Sequence, residues 1–292
     1  MRSLKVLERA LGEVNRVQEA LESSRLLEGE LKIVLVSEGP YDITSSLLLA
    51  LSNMLNTGHK IIRASPIEYL TFIAPYSDHN AVFMLSSLDY VKMIADVSRI
   101  MIVENLIIAP ALPEYLRRMV RGRVVEINLK PIMGAYVASI AFLKTIAKKT
   151  PTVRSMALLR DLENLDNIGS LILSHYANNI TRASTLLGRG ALMASSDILI
   201  RVLVEYWKEM RRMGMNVPYP LTFDDHDIVG EGEVIAFRTP FDDHAFKRFT
   251  TRLRASRKNV SVETIMFNTD PVLSPLYAIV LFELILDRLV EH

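Results

Sequence analysis

Three observations predict an α/β chain with two subdomains, each a parallel sheet between layers of helices. Short apolar runs, as at 32–36, 81–85 and 233–238, alternate with stretches whose apolar residues recur at helical spacing. The runs are continuous rather than alternating, as suits strands buried on both faces. The stretches 31–55 and 182–205 also share one plan: an apolar run, a turn carrying glycine, and a long helical run. Gly39 marks the first turn and Gly188 and Gly190 the second, about 150 residues on, which reads as an internal duplication.

Near the start, Leu4, Leu7, Leu11, Val14, Val17 and Leu21 predict a helix with one buried face. A strand is expected at 32–36, a turn at Gly39, and a helix over 43–55 that Asp42 can cap and Gly58 ends. Strands at 61–64, 81–85, 99–103 and 123–127 alternate with helices, the last of them opening at Pro131 and running to 149. Thr150 and Pro151 make a boundary. Helical segments follow over 153–178, then a strand at 182–187, a helix at 192–213, and strands at 216–219, 233–238 and 260–267. Helices at 242–256 and 275–290 complete the second half, which is one strand short of the first. The expected division is an N-terminal helix (1–29), a first subdomain (30–150), a helical linker (151–180) and a second subdomain (181–292). In both halves a strand, a glycine turn and a helix N-terminus would form an anion site.

Composition narrows the function classes. The 292 residues are 50% apolar with a formal charge of +1, so a sizeable core is available and no basic footprint for nucleic acid is present. Cysteine is absent, which removes disulfides and thiol chemistry. The apolar segment 276–282 is cut by Glu283 and Asp287, too short to span a bilayer, so a cytoplasmic protein is expected. A single glutamine, Gln18, and the missing cysteine point to a thermophilic source.

The sequence then resembles the tandem sugar isomerase (SIS) domain family, as in the isomerase half of glutamine–fructose-6-phosphate aminotransferase and in archaeal phosphosugar isomerases. The residues that carry the likeness are LLGRG at 186–190 followed by Glu205, Val137–Ala138–Ser139 with Ala141–Phe142, and VIAFRTPFDD at 234–243. The resemblance implies flavodoxin-like sheets, a homodimer, a phosphorylated sugar or aminosugar as ligand and no cofactor. It implies phosphosugar contacts at Gly39, Ser86, Ser87, Gly188, Arg189 and Gly190, with Glu205 moving a proton between C1 and C2 and His226 near the ring oxygen. The family's lysine three residues before the glutamate falls on Val202. Its serine/threonine loop is altered here: LSSLDY at 85–90 keeps Ser86 and Ser87 but has Leu88 for glycine and Tyr90 for threonine. Pro40 and Tyr41 stand where small hydroxyl residues are expected, and proline brings no N–H.

Each of these residues also fits an ordinary structural part. Glu205 suits a salt-bridged helix face, and Ser86–Ser87 a helix cap, which uses the same N–H groups as phosphate. Glu68 fits a surface charge. The repeated Asp-Asp-His clusters at 224–226 and 242–244 could hold a divalent ion, but helix capping explains Asp242 or Asp243, and no metal is expected. Two functions are consistent with the sequence: a cofactor-free aldose–ketose phosphosugar isomerase, or a catalytically silent sugar-phosphate binding or regulatory protein. A structural dimer without ligand is the third reading.

Overall fold

The computed structural model describes residues 2–24, 26, 32–58, 60–75, 79–98, 105–256 and 259–291. The chain divides into two units, Leu7–Asp166 and Met1–Val6 with Asn167–His292.

In the first unit β1 (Lys32–Ser37), β2 (Lys60–Ala64), β3 (Asn80–Met84), β4 (Asn105–Ala109) and β5 (Arg123–Glu126) form one sheet in the order β2-β1-β3-β4-β5. Every pairing is parallel, with Val34 opposite both Ile62 and Ala81. This is the flavodoxin-like order. The central strands are apolar on both faces because helices cover both. On one side α2 (Tyr41–Leu55) packs on α6 (Pro131–Lys149), which in turn packs on α7 (Val153–Glu163). On the other, Val34, Val36, Phe83 and Ile107 share a core with Tyr69, Val91, Ile94 and Leu116. Those partners come from α4 (Leu88–Ser98), α5 (Glu114–Met119) and a π-helical turn, Tyr69–Ile73, that follows the short α3 (Pro66–Glu68). The helix predicted at the start is α1 (Arg2–Ser23), with Leu7, Ala10, Val14, Val17 and Leu21 buried. The strand expected at 99–103 lies outside the described residues; the described fourth strand is β4.

In the second unit β6 (Leu192–Ser195), β7 (Leu221–Thr222), β8 (Gly232–Arg238) and β9 (Val260–Met266) are all parallel in the order β7-β6-β8-β9, the expected strand short. The helix α11 (Ser274–Glu291) packs on α8 (Ile168–Gly188) and α9 (Asp197–Arg212). Phe223, Ala236, Phe249 and Leu253 form a core with α10 (Asp243–Ala255). Trp207 on α9 donates from Nε1 to Val217 O at 3.0 Å and meets the edge of Tyr219.

The second repeat is out of register with the prediction. Residues 182–187 are not a strand but the last turns of α8. Ile180, Ala183, Ser184 and Leu187 are buried at helical spacing, and Thr181, Ser184 and Thr185 return their hydroxyls to carbonyls three or four residues back. The strand is the short run 192–195, which the sequence pattern merges into the following helix. The strand expected at 216–219 is replaced by β7, beyond Pro218 and Pro220, whose missing N–H groups suit a loop better than a ladder. Asp42 does not cap α2: Pro40 holds the N-cap position, and Asp42 instead accepts the Ser37 hydroxyl at 2.6 Å.

Candidate functional site

In a doubly wound sheet, ligands sit where the strand order reverses, beyond the carboxyl ends of the strands. In the first unit that point lies between β1 and β3. Three predicted residues meet there: Gly39 follows β1 and Ser86 and Ser87 follow β3. A Cβ placed on Gly39 would lie 3.5 Å from Ser86 Oγ. Gly39 has φ +56°, a left-handed conformation that glycine adopts without penalty.

The residue that joins them is Glu38, which the sequence motifs do not single out. Its Oε1 accepts from Ser86 N–H at 2.8 Å, from Ser86 Oγ at 3.1 Å and from Ser87 N–H at 2.6 Å. Two backbone donors and a hydroxyl thus converge on one anionic oxygen, where α4 begins. Ser87 Oγ also accepts from Asp89 N–H at 3.2 Å, so the capping role is present as well. The turn after β1 is closed. Tyr41, Asp42 and Ile43 donate their N–H groups to Glu38, Gly39 and Pro40 carbonyls at 3.1 to 3.2 Å. The Tyr41 phenol is buried, and burial followed by the charge of Glu38 pushes its pKa up. Beyond β2, Ser65 and Glu68 form a capping box, and the Ser65 N–H, then its hydroxyl, holds the Glu68 carboxyl below its usual range.

The other predicted residues lie in the second unit, and the structure does not gather them. Gly188, Arg189 and Gly190 are the stop of α8, not a turn at the carboxyl end of a strand. Gly190 N–H donates to Leu187 O and Ala191 N–H to Leu186 O, both at 3.0 Å, with Gly190 at φ +85°. The turn feeds the amino end of β6, the opposite edge of the sheet from a switch-point ligand. Arg189 lines an open groove of about 450 Å³ with Thr181, Arg182, Thr185 and Glu233.

Glu205 stands midway along α9, its side chain 14% exposed, bound to Lys208 Nζ at 2.6 Å. Val202, one turn earlier, is fully buried. His226 opens a 3-10 turn after β7. Its Nδ1 meets Asp224 O at 2.9 Å, and its Nε2 lies between Asp227 Oδ1 at 3.1 Å and Arg252 Nη1 at 3.2 Å. Among the described residues no hydrogen bond joins it to Glu205.

The carboxylates of the Asp-Asp-His clusters are already engaged. Asp224 pairs with Arg248, and Asp225 accepts from Thr222 at 2.7 Å. Asp242 closes a box with Thr239. Lys247 and then Arg238 hold the Asp243 carboxyl below its usual range. Among the described residues no group of three or more His, Asp or Glu is placed to hold a metal ion, and no helix is long and apolar enough to cross a membrane. Glu283, which no sequence motif marks, is buried on α11 and accepts the Tyr206 hydroxyl at 3.0 Å.

No protein-family model matches the sequence, and no curated protein matches it. Solved structures do match over nearly the whole chain. The C-terminal domain of glucosamine-fructose-6-phosphate aminotransferase from Francisella tularensis aligns with 100% of this chain and 96% of its own, at a TM-score of 0.72 and 12% identity. Tagatose-6-phosphate ketose/aldose isomerase from Escherichia coli aligns over 98% and 90%, at 0.61 and 12%. A candidate sugar binding protein from Salmonella typhimurium aligns over 98% and 97%, at 0.68 and 14%. Identities this low establish architecture, and the chain is accordingly a two-unit α/β/α protein with the fold of these structures.

Proposed function

We propose that this chain is a phosphosugar-binding protein of the sugar isomerase fold, with its anion site at the switch point of the first sheet. The observation that carries the reading is the convergence of Ser86 N–H, Ser86 Oγ and Ser87 N–H on a single carboxylate oxygen at 2.6 to 3.1 Å. A phosphate oxygen accepts from the same donor set. Binding without turnover is the form best supported. Glu205 is held by Lys208, His226 by its own loop and Arg252, and the Gly188–Gly190 turn lies at the wrong edge of its sheet for phosphate.

The second reading, a cofactor-free isomerase, is favoured by one feature, the mostly buried carboxylate of Glu205. As base it would take the proton from C2 of an open-chain aldose phosphate and return it to C1 through an enediol, a contribution of about 100- to 10,000-fold in rate. A homodimer is part of the proposal, and light scattering of the purified chain tests it.

A thermal-shift panel of hexose and aminohexose phosphates tests binding. A ligand at a hundred times its Kd stabilises the folded form by about 2.7 kcal/mol. Failure of every member to raise the melting temperature removes both ligand readings. Proton exchange at C2 of a bound sugar then separates them. Exchange abolished by Glu205→Gln selects the isomerase; no exchange in the wild type selects the silent binder.

A further inference from the structure

The cradle proposed for a sugar phosphate is occupied by the protein itself. Building on that proposed function, we infer that Glu38 is an internal competitor of the ligand's phosphate, so that the site accepts a phosphate only when the Glu38 side chain withdraws. Three donors serve one oxygen of Glu38, and these are the donors a phosphate would need. Two oxyanions cannot share them, because like charges at hydrogen-bonding distance repel and each donor proton serves one acceptor well.

Among the described residues no cation pairs with Glu38. Arg63, at the end of β2, lies 3.7 Å from Asp42, and Arg117 on α5 is held by Glu126 at 2.6 Å. In the turn after β1 the N–H groups of Tyr41, Asp42 and Ile43 are taken up by the turn's own carbonyls, and that of Glu38 by Met84 O at 3.3 Å. The left-handed Gly39 fixes the chain direction that brings the side chain beside Ser86. Glu38 therefore sets how strongly the cradle discriminates: a ligand must displace a carboxylate already in place, and its apparent Kd is the intrinsic one divided by the fraction of molecules with the cradle open.

The test uses the full chain and calorimetric titration with inorganic phosphate, a hexose phosphate and the same hexose without phosphate. Wild type, Glu38→Ala and Glu38→Gln are compared, with circular dichroism confirming that each variant is folded. The alanine variant is expected to bind both phosphate-bearing ligands at least about tenfold tighter than wild type, which corresponds to a cradle closed in about nine molecules of ten. The glutamine variant is expected to gain less, because a neutral amide oxygen still accepts from the same donors more weakly, and it carries the comparison if the alanine variant does not fold. The free hexose is expected to show no gain. If wild type binds hexose phosphate and neither substitution tightens it, Glu38 is no competitor while the binding reading stands. An equal gain for free hexose also overturns the inference, since the side chain would then exclude sugar by bulk. If no folded variant binds any phosphate, the inference and the assignment of the cradle fall together.

Discussion

Gly134 is a position at which one added methyl is expected to be costly. It lies in the buried stretch of α6, and a Cβ built there would collide with Tyr41 Oη and stand 3.2 Å from Cζ. Tyr41 cannot retreat, because its side chain is 2% exposed at the start of α2 and the neighbouring helices pack on each other. Non-bonded carbons prefer about 3.5 to 4.0 Å, so the added Cβ would crowd the ring carbon as well as its oxygen, and the overpacking cost belongs near the upper end of about 1 to 3 kcal/mol. Alanine regains about 1 kcal/mol of helix propensity. Gly134→Ala is therefore expected to lose about 2 kcal/mol net. Tyr41→Phe removes the offending oxygen, so the same glycine substitution in that background is expected to lose only a few tenths of a kcal/mol, a coupling of about 2 kcal/mol between sites in contact. Urea unfolding of the four proteins, followed by circular dichroism, measures the cycle. If Gly134→Ala is as stable as wild type, or loses the same amount in both backgrounds, the contact does not govern this position.

Two other perturbations concern buried polar groups. Thr44 donates to Ala135 O and accepts from Ser139 Oγ, both at 3.0 Å, in a region with no exposure. Thr44→Val keeps the shape but takes the acceptor from the Ser139 hydroxyl, while Ala135 O keeps its bond within α6, for an expected loss of about 1 to 2 kcal/mol in urea unfolding, partly recovered by Ser139→Ala; a loss below about 0.5 kcal/mol would show that the pair contributes little. At alkaline pH, burial pushes the Tyr69 phenol up to about 12 and raises Tyr206 as well. The unfolded chain releases these protons from about pH 10 while the folded chain retains them, so stability is complete below pH 10 and declines between about 10 and 12. Urea midpoints across that range, with Tyr69→Phe flattening part of the decline, check the sign; midpoints independent of pH would contradict it.

The first unit was legible because its signals agree. Apolar runs of four to six residues, Gly39, Gly58 and Pro131 punctuate it, and the strand positions follow apart from the one outside the described residues. The second unit misled where two signals compete. The run RASTLLG at 182–188 reads as a strand, yet its burial at 183, 184 and 187 continues a helical period from Ile180, and only a window reaching back into α8 exposes it. Gly190, which follows, looks the same whether it cradles a phosphate or ends a helix, because both uses exploit a positive φ. The candidate site was half legible. Ser86, Ser87 and Gly39, proposed from their place after strands, do come together at the switch point. Glu38 was not, although an acid directly before the turn glycine at a strand's carboxyl end is the signal that could have marked it.

Trp207 is the single tryptophan of the sequence, and it belongs wholly to the second unit, fixed by Val217 O and Tyr219. Its emission is thus a built-in optical label for one half of the chain, while far-ultraviolet dichroism averages over both. Superimposed denaturation curves from the two signals would mean that the halves melt as one; separated curves would assign each half its own stability without cutting the chain. The absence of cysteine extends this advantage, since a single introduced thiol in the first unit could carry a second dye without competing sites.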